Sequence, residues 1–573
     1  MDQIIKLMKG YSRECVLGPL FKLLEASFEL MIPLVVARIV DVGIASGDNG
    51  YIVRMCLLMV LLGVVGLACA VTAQYFAAKA AVGVSARLRS ALMRKMLGFS
   101  YTQIDTLGTS TMITRMTSDV NQVQNGVNLT LRLLLRSPFV VFGAMIMAFT
   151  IDAQAALVFV GVIPVLCLVV FGIMLITMPM YKRVQARLDG ITSAVRQNLS
   201  GVRVLRAFCK EEEEISVFRT RTQELAASQI SAGRVSALMN PLTFVIVNLA
   251  VIILIRVGAI KVYDGVLTQG LVIALYNYMS QILVELVKMA NLIITITKAV
   301  ACGNRIGAVL AIDTAEQEGD MRQIRGCVEF RDVSVRYSGA AGDALEGITF
   351  RAEPGQTIGV IGGTGSGKTS LVNLIPGLYP ADRGQVLIDG IPVGKLDPDS
   401  LRRQIGIVPQ KAVLFRGSIR ENLCWGKDDA SDAELWEALD TAQAREVVKD
   451  KPGELDAMVE QGGSNFSGGQ RQRLTIARAL VRQPKILILD DSASALDYAT
   501  DARLRMSIRN VKHPPTTFIV SQRAASVRYA DLILVLDDGE LVGKGTHEEL
   551  LRNCSVYQEI YYSQFRKEDE ANG

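Results

Sequence analysis

The chain has 573 residues, of which 50% are hydrophobic and only 20% are charged, and its mean hydropathy is +0.31. A soluble enzyme of this size carries more charge, so the composition excludes an ordinary soluble protein. The length favours two or more domains. The net charge of +5 comes without a basic tail or a block of lysine and arginine, which argues against nucleic acid as a partner.

The sequence has nine cysteines and two histidines. No two cysteines have CxxC spacing and several lie in apolar runs, so we interpret them as buried free thiols, not as a disulfide framework or a zinc site. The N-terminal segment "MDQIIKLMKGYSRECV" is amphipathic and is not followed by a small-residue cleavage site. We therefore interpret it not as a cleavable signal peptide but as a short helix that lies along the membrane surface.

Six apolar segments in the first half of the chain are each long enough to cross a bilayer, which takes about 20 residues. These predicted spans are 16–42, 52–78, 130–151, 155–180, 238–260 and 266–295. Buried helices of a soluble core are the alternative interpretation. Six such segments joined by very short polar links favour a membrane domain instead.

The links between the spans alternate in charge. The short links 43–50, 151–155 and 261–270 are poor in arginine and lysine, whereas the long segments 79–129 and 181–237 are rich in both. The positive-inside rule therefore places the long segments and both termini in the cytoplasm.

Both long segments keep a helical period, which predicts spanning helices that continue well beyond the bilayer. Small and polar residues interrupt the period at 114–123 and at 198–208. We expect these two stretches to be turning points where the membrane part touches the soluble part.

Charged and amide side chains also occur inside the predicted spans: Glu25, Glu29, Arg132, Arg136, Asn248, Glu285, Lys288 and Asn291. Charge in hydrocarbon is costly, so such residues face a bundle interior or a water-filled cavity. Alternatively they lie near span ends and reach the headgroups. Both interpretations stay open for the glutamates and the lysine, and a cavity role is less favoured for the two arginines.

A polar, acidic stretch at 311–326 breaks the apolar pattern and is the predicted linker between a membrane domain, 1–310, and a nucleotide-binding domain, 327–573. The second domain contains strand-like runs at 327–337, 344–353, 357–362, 384–390, 485–490, 516–521 and 532–545. Helical segments separate the later runs. The pattern predicts an α/β domain with an antiparallel sheet at its start.

The segment "GGTGSGKTS" follows a strand, opens a helix and fits the pattern G-x-x-x-x-G-K-[ST]. Its glycines let backbone amides curl around phosphate oxygens, and the helix N-terminus adds its dipole. Lys368 reaches the terminal phosphates, and Thr369 offers a hydroxyl to Mg²⁺. The predicted phosphate-binding residues are Gly362, Gly363, Thr364, Gly365, Ser366, Gly367, Lys368, Thr369 and Ser370.

Asp490 ends an apolar strand, as the Mg²⁺-holding carboxylate of P-loop proteins does. Between the P-loop and this strand, "FSGGQRQRLTIARAL" (466–480) resembles the signature motif of ATP-binding-cassette (ABC) proteins. The resemblance places an amide-rich anion site at the start of a helix, suited to a γ-phosphate offered from another subunit. The residues implied in ATP binding there are Ser467, Gly468, Gly469 and Gln470.

Other positions complete the resemblance. Tyr337 resembles the aromatic residue that stacks on adenine, Gln410 the glutamine that senses Mg²⁺, and "SALD" (494–497) the loop that crosses the dimer interface. The whole chain resembles a half-transporter of the ABC exporter type. The resemblance implies ATP and Mg²⁺ as cofactors, with Thr369, Gln410 and Asp490 at the metal. It also implies a dimer in which each ATP lies between one P-loop and the other subunit's signature.

Two positions depart from the family pattern. The family has a glutamate as general base where this chain has Asp491, and a histidine after the next strand where it has Gln522. Aspartate is one methylene shorter, and a base must lie within hydrogen-bond reach of its proton. Glutamine cannot carry the charge of an imidazolium. Both residues would serve the ATP of this chain's own P-loop, so we expect weak hydrolysis there.

The leading hypothesis is the degenerate-site subunit of a heterodimeric exporter in a bacterial inner membrane. Its partner would be a second half-transporter with an intact glutamate and histidine. Its substrate would be a small amphipathic molecule: a drug, a lipid or a peptide. A homodimeric exporter with slow hydrolysis at Asp491 is the alternative. A nucleotide-gated channel or a regulatory membrane protein without active transport is a third possibility, against which the intact signature and the coupling segments argue.

Overall fold

The computed structural model describes residues 8–313, 319–337, 340, 342–492 and 494–565. The start of the amphipathic N-terminal segment and the middle of the predicted linker lie outside these residues. The chain forms two compact units. The first comprises residues 1–97 and 110–312, and the second comprises 98–109 and 313–573. The short segment 98–109, expected in the membrane domain, therefore belongs to the second unit.

Helices make up nearly all of the described residues up to 313. In chain order they are α1 (Ser12–Arg38), α2 (Asn49–Leu97), α3 (Tyr101–Leu107), α4 (Thr109–Thr114), α5 (Val120–Leu133), α6 (Arg136–Ile151), α7 (Ala153–Ser200), α8 (Val202–Ala207), α9 (Glu211–Ala237), α10 (Met239–Tyr263) and α11 (Gln269–Leu310). Shorter 3₁₀ or π-helical turns lie at Lys9–Tyr11, Ile39–Ile44 and Arg115–Asp119.

Among the described residues, five helical stretches are long and apolar enough to cross a membrane: Asn49–Leu97, Thr109–Ile151, Ala153–Ser200, Glu211–Tyr263 and Gln269–Leu310. They contain four of the six predicted spans whole and a fifth, 266–295, from residue 269 onward. The first predicted span corresponds to α1, which is less apolar because it carries Lys22, Glu25 and Glu29, the first two paired with each other. At 1.5 Å per residue, α2 and α7 are each roughly 70 Å long, which exceeds the bilayer core of about 30 Å as expected.

The first predicted turning point, 114–123, is wrong. Helices α4 and α5 run through it, joined by the π-helical turn Arg115–Asp119. Asp119 is buried, and its carboxylate accepts hydrogen bonds from Arg115 at 2.8 Å and from Arg305 at 2.5 and 3.0 Å. The polar residues that suggested a turn thus include a buried ion pair on a helix.

The chain turns instead around α3, which has clear start and stop signals. Ser100 Oγ accepts from the backbone N–H of Gln103 at 3.3 Å, and Gln103 Oε1 accepts from the N–H of Ser100 at 3.0 Å. This capping box starts the helix. Gly108, with a φ of +73°, ends it. At the second predicted turning point, 198–208, the long helix does end, since α7 stops at Ser200 and the short helix α8 follows.

A buried ionic cluster joins α1, α6 and α11 in the first unit. Arg136, 6% exposed, donates to Glu285 and to Glu29, each at 2.6 Å. Ser137 and Lys288 each donate to Glu285 at 2.8 Å. Glu285 is 3% exposed, whereas Glu29 and Lys288 are partly open. The structure therefore uses several of the intramembrane charges to pair helices inside the bundle.

The second unit contains the strands. They are β1 (Val328–Val335), β2 (Leu345–Ala352), β3 (Thr357–Gly362), β4 (Arg383–Ile388), β5 (Ile391–Pro392), β6 (Ile405–Val408), β7 (Gly417–Ser418), β8 (Met458–Val459), β9 (Ile486–Asp490), β10 (Thr516–Val520), β11 (Leu532–Asp537) and β12 (Glu540–Gly545). The helices are α12 (Lys368–Leu374), α13 (Pro398–Arg403), α14 (Ile419–Cys424), α15 (Asp432–Thr441), α16 (Arg445–Lys449), α17 (Gly468–Val481), α18 (Tyr498–Arg509), α19 (Ala524–Val527), α20 (His547–Asn553) and α21 (Ser555–Gln564). Short 3₁₀ turns lie at Val393–Lys395, Glu454–Asp456 and Gln461–Gly463.

Two main sheets organise this unit. An antiparallel sheet has the order β2-β1-β4-β5, as expected for the start of the domain. A six-stranded sheet has the order β12-β11-β3-β10-β9-β6 and is parallel except for β12. Its central strands are apolar throughout because cores cover both faces. Strand β10 lies between β3 and β9, and its Val520 pairs with Val360 on one side and Asp490 on the other.

Candidate functional site

The carboxyl edge of the six-stranded sheet gathers most of the predicted site residues. The P-loop (Gly362–Gly367) lies at the end of β3, Asp490 ends β9 with Asp491 directly after it, and Gln522 follows β10. Because β10 separates β3 from β9, the Gln522 segment lies between the other two. Ligands of open α/β sheets bind at this edge, outside the carboxyl ends of the strands.

The P-loop backbone requires glycine at several positions. Gly365 and Gly367 have φ values of +86° and +91°, which side chains rarely adopt. A Cβ on Gly362 would lie 2.1 Å from the carbonyl oxygen of Leu536 on the neighbouring strand β11. The loop therefore keeps a tight turn before α12, the arrangement that presents backbone amides to phosphate oxygens.

Lys368 begins α12 and lies inside the loop. Its ammonium donates to the carbonyl oxygens of Gly362 at 2.9 Å and of Gly363, and to Ser366 Oγ at 3.2 Å. The side chain is nearly buried, and burial lowers the pKa of Lys368, an effect that the carboxylates at the end of β9 oppose. A cation held this way fits the terminal phosphates of a nucleotide.

Thr369 and Asp490 form an oxygen pair beside the loop. Thr369 Oγ1 lies 3.0 and 3.1 Å from the two carboxylate oxygens of Asp490. Asp490 is 6% exposed, and burial raises its pKa, although the Thr369 hydroxyl acts in the opposite direction. A hydroxyl and a carboxylate next to a phosphate cradle are the protein ligands that Mg²⁺ takes in such sites. The residues present therefore fit a Mg²⁺–nucleotide complex.

Asp491 has a fixed backbone. Its φ is +46°, and its N–H donates to the carbonyl of Val520 at 3.0 Å. Its carbonyl accepts from Ser494, from the N–H at 3.2 Å and from Oγ at 2.8 Å. The carboxylate of Asp491 is close enough to Lys368 and Asp490 to act on the pKa values of both. The structure thus brings the predicted base position to the Lys368–Asp490 group.

The segment after β10 joins the segment after β9. Gln522 is exposed, and Arg523 donates to the carbonyl oxygens of Ser494 at 3.2 Å and Leu496 at 3.3 Å. These two carbonyls belong to the 494–497 loop. The positions of Asp491 and Gln522 are therefore linked through one arginine, at the same end of neighbouring strands.

Gln410 lies two residues beyond β6, which pairs with β9 through Val408 and Leu489. It is exposed and stands at the same edge of the sheet as Asp490. The strand that delivers it, β6, was missed by the sequence analysis because its four residues are too few for a periodic signal.

Tyr337 connects the site with α3. Its hydroxyl donates to Ser370 Oγ at 2.9 Å, and its ring meets Tyr379 edge-on with centroids 5.2 Å apart. The hydroxyl of Tyr379 donates to Asp105 on α3 at 2.7 Å, and Tyr101 packs against the same ring. Burial and the carboxylate of Asp105 raise the pKa of Tyr379. Sequence reasoning missed Tyr379 and Asp105, which carry no motif.

The predicted signature residues stand at the start of α17. Ser467 Oγ accepts from the N–H of Gln470 at 3.3 Å, and Gln470 Oε1 accepts from the N–H of Ser467 at 2.9 Å. A Cβ on Gly469 would lie 2.9 Å from the carbonyl of Ala495. Within the described part of the chain, no hydrogen bond joins these residues to the P-loop. The exposed helix start is open to an anion from elsewhere.

Comparison with known proteins agrees with this geometry. Residues 15–286 match the model of the ABC transporter transmembrane region, and residues 345–494 match the ABC transporter model. The ABC transporter ATP-binding protein YfiB of Bacillus subtilis (strain 168), named as uncharacterized, is 36% identical over 575 residues and 99% of each chain. The chain belongs to the ABC transporter family.

This ABC transporter resembles further members along most of its length. A probable multidrug resistance ABC transporter ATP-binding/permease protein of Bacillus subtilis (strain 168), YheI, is 32% identical over 83% of this chain and 82% of its own. A solved bacterial Atm1-family ABC exporter with ATP bound superposes with a TM-score of 0.81, at 22% identity, over 97% of this chain and 99% of that one.

These matches confirm the predicted fold class, a helical membrane domain followed by an α/β nucleotide-binding domain. They also confirm the expectation of a multi-pass membrane protein. The family carries an ATPase domain, which implies ATP as its nucleotide.

Proposed function

We propose that this chain is one half of a heterodimeric ABC exporter whose own P-loop site binds ATP but hydrolyses it poorly. The observation that carries the proposal is the joint position of Asp491 and Gln522. They stand after neighbouring strands, at one edge, where the family pattern has a glutamate and a histidine. One departure at an ATP site is compatible with full activity. Two at the same site favour a weakened one.

The remaining residues of the site support nucleotide binding. The P-loop amides and Lys368 would hold the phosphates, Thr369, Asp490 and Gln410 would hold Mg²⁺, and Tyr337 would stack on adenine. When bound, Mg²⁺–ATP supplies the phosphoanhydride bond whose hydrolysis drives transport. In this proposal the residues that bind the nucleotide are all present, whereas the residue that would accept the proton of the attacking water is altered.

The backbone around Asp491 is held in place, which argues against a shift that would compensate for the shorter side chain. Aspartate ends about one C–C bond, roughly 1.5 Å, short of glutamate. The N–H of Asp491 is bonded to Val520, and its carbonyl is bonded to Ser494, so the backbone is held on both sides. A general base contributes roughly 10²–10⁴-fold when it reaches its proton. Because the Asp491 side chain is shorter and its backbone cannot shift to compensate, we expect slow hydrolysis at this site.

The signature residues favour a partner with a competent site. Ser467 and Gln470 keep their capping box, and the helix start is exposed. In the dimer that the family resemblance implies, this segment completes the other subunit's ATP site. We propose that the partner supplies the glutamate and the histidine. The name of YheI favours drugs or similar amphipathic molecules as substrates, and the exporter fold favours export.

The test is steady-state ATPase activity of the purified chain alone and in complex with the second half-transporter that co-purifies with it. We expect the chain alone to turn over at least about 100-fold more slowly than the complex, the lower bound for a lost base. The double substitution Asp491→Glu with Gln522→His should raise the activity of the chain alone. Fast turnover by the unmodified chain alone would refute the proposal.

The subunit ratio of the complex separates the proposal from the homodimeric alternative. A tagged chain purified from its own membrane should bring down one equivalent of a second half-transporter. Recovery of two copies of this chain with transport activity would favour the homodimer.

A further inference from the structure

The last helix of the described chain touches the loop that carries Gln522. At the end of α21, both the nitrogen and the oxygen of the Gln564 side-chain amide form hydrogen bonds. Its Nε2 donates to the carbonyl of Gln522 at 2.8 Å, and its Oε1 accepts from the N–H of Ala524 at 2.9 Å. Ala524 begins α19, so this N–H is one of the donors that a helix start leaves unsatisfied. One side chain therefore clamps both sides of Arg523.

The clamped residue reaches the next loop. The guanidinium of Arg523 donates to Ser494 and Leu496 in the 494–497 loop and lies over the ring of Tyr498. Its N–H donates to Ser521 Oγ at 3.0 Å. A shift of the backbone on either side of Arg523 would therefore move its contacts with the 494–497 loop as well.

Helix α21 is itself a fixed part of the domain and can hold a position. Tyr557 is 0% exposed and Tyr561 is 5% exposed, both inside the core that covers one face of the main sheet. His547 Nδ1 lies 2.8 Å from the hydroxyl of Tyr557, and the rings of Tyr561 and Phe565 stack. Since side chains of α21 are anchored on both sides of its last turn, Gln564 projects from a rigid support.

We infer that Gln564 is a positioning residue for ATP hydrolysis, acting from the C-terminal helix on the Gln522 loop and, through Arg523, on the 494–497 loop. The inference rests on the proposed function, which sets Gln522 beside this chain's own ATP. The 494–497 loop resembles the one that crosses the dimer interface. In the proposed dimer the clamp would therefore bear on both ATP sites.

The experiment compares three variants in the full complex with its partner. Gln564→Ala removes both hydrogen bonds. Gln564→Glu keeps an acceptor for the N–H of Ala524 and loses the donor to Gln522. Gln558→Ala is the matched control, because this second glutamine of α21 donates to Leu551 at 2.7 Å, away from the site. The measurements are kcat, the KM for ATP, the ATP affinity without turnover, and thermal unfolding.

We expect Gln564→Ala to lower kcat by about tenfold, with ATP affinity and KM within about twofold. The two lost hydrogen bonds hold Arg523 in place on the 494–497 loop, which in the proposed dimer bears on the partner's productive site. Gln564→Glu should fall between this variant and the unmodified complex. Gln558→Ala should keep kcat. Equal losses of kcat in Gln564→Ala and Gln558→Ala, or an unchanged kcat in Gln564→Ala, would overturn the inference.

A loss confined to the unfolding temperature would also count against it, as a merely structural role gives that result. Failure of the proposed function has a different signature. It appears as fast turnover of the unmodified chain without its partner and does not depend on residue 564.

Discussion

At the scale of single residues, Asp490, the proposed Mg²⁺ ligand, is held in a form that does not favour folding. The carboxylate is nearly buried, its pKa is raised by that burial, and the hydroxyl of Thr369 only partly offsets the cost. A folded-state pKa above the unfolded value means that the folded state binds the proton more tightly. Stability therefore increases as the pH falls through the folded pKa, and the ionised carboxylate destabilises the nucleotide-free protein at neutral pH.

We expect Asp490→Asn to raise the unfolding temperature of the nucleotide-free protein by about 2–4 °C, the shift that about 1 kcal/mol causes in a domain of this size. The same variant should lose the stabilisation that Mg²⁺–ATP gives the unmodified protein. Thermal unfolding at pH 7 with and without Mg²⁺–ATP measures both effects. Asp537→Asn, at the exposed end of β11, is the control and should change neither. A lower unfolding temperature for Asp490→Asn would contradict this account.

At the scale of elements, helices α1, α6 and α11 meet at buried charges as well as at apolar side chains. Arg136 contributes one nitrogen to Glu285 and another to Glu29, so each helix depends on the same guanidinium. Removing one partner of a buried pair leaves an uncompensated charge, whereas replacing the pair with apolar residues is often neutral or stabilising. The two glutamates also differ, since Glu285 is buried and Glu29 is partly exposed.

We expect Glu285→Gln to destabilise the membrane domain by about 3–5 kcal/mol, because Arg136 would stay buried without its main partner. Glu29→Gln should cost about 1 kcal/mol or less, since its side chain is 38% exposed. The double substitution of Arg136→Met with Glu285→Leu should restore much of the loss. Thermal unfolding of the variants in detergent tests this order of stabilities. Equal losses for both glutamates would show that burial does not set the cost.

Elements with a local signal were predictable from the sequence, and contacts between distant segments were not. The strands around the P-loop and Asp490 were found because an apolar run ends in a recognisable motif. The contact of Tyr379 with Asp105 joins residues 274 positions apart, and nothing in the local pattern of either indicates it. Gln564 was missed for the same reason. The failed turning point at 114–123 shows the opposite error, since polar residues on a helix can mark a buried ion pair.

At the scale of the whole molecule, the proposed dimer would give the chain one half of each of two ATP sites. Its own half keeps the P-loop, Thr369 and Asp490 but has Asp491 and Gln522 in place of the usual base and histidine. The half that it would offer to a partner begins at Ser467, matches the family signature and keeps its capping box. In the proposed heterodimer the second half carries the larger share of turnover. In a homodimer the two halves would work on the same ATP and would matter equally.

Substitutions at Ser467 and Asp491 in one complex distinguish these cases. Ser467→Asp keeps an N-cap acceptor for α17 but puts a negative charge where a γ-phosphate should bind, and Ser467→Asn keeps the cap without the charge. Repulsion of about 4 kcal/mol at 4 Å and an effective dielectric of about 20 is enough for a loss well beyond tenfold. We expect that loss in the ATPase activity of the complex for Ser467→Asp.

Two further variants, Ser467→Asn and Asp491→Asn, complete the comparison. Ser467→Asn should stay within about threefold of the unmodified complex, since the N-cap bond is kept. Asp491→Asn should also cost little, because the site that it alters contributes little turnover from the start. If Asp491→Asn lowers the activity as much as Ser467→Asp does, both halves of the chain serve productive hydrolysis. The missing methylene at residue 491 would then be a tolerated variation of a working base.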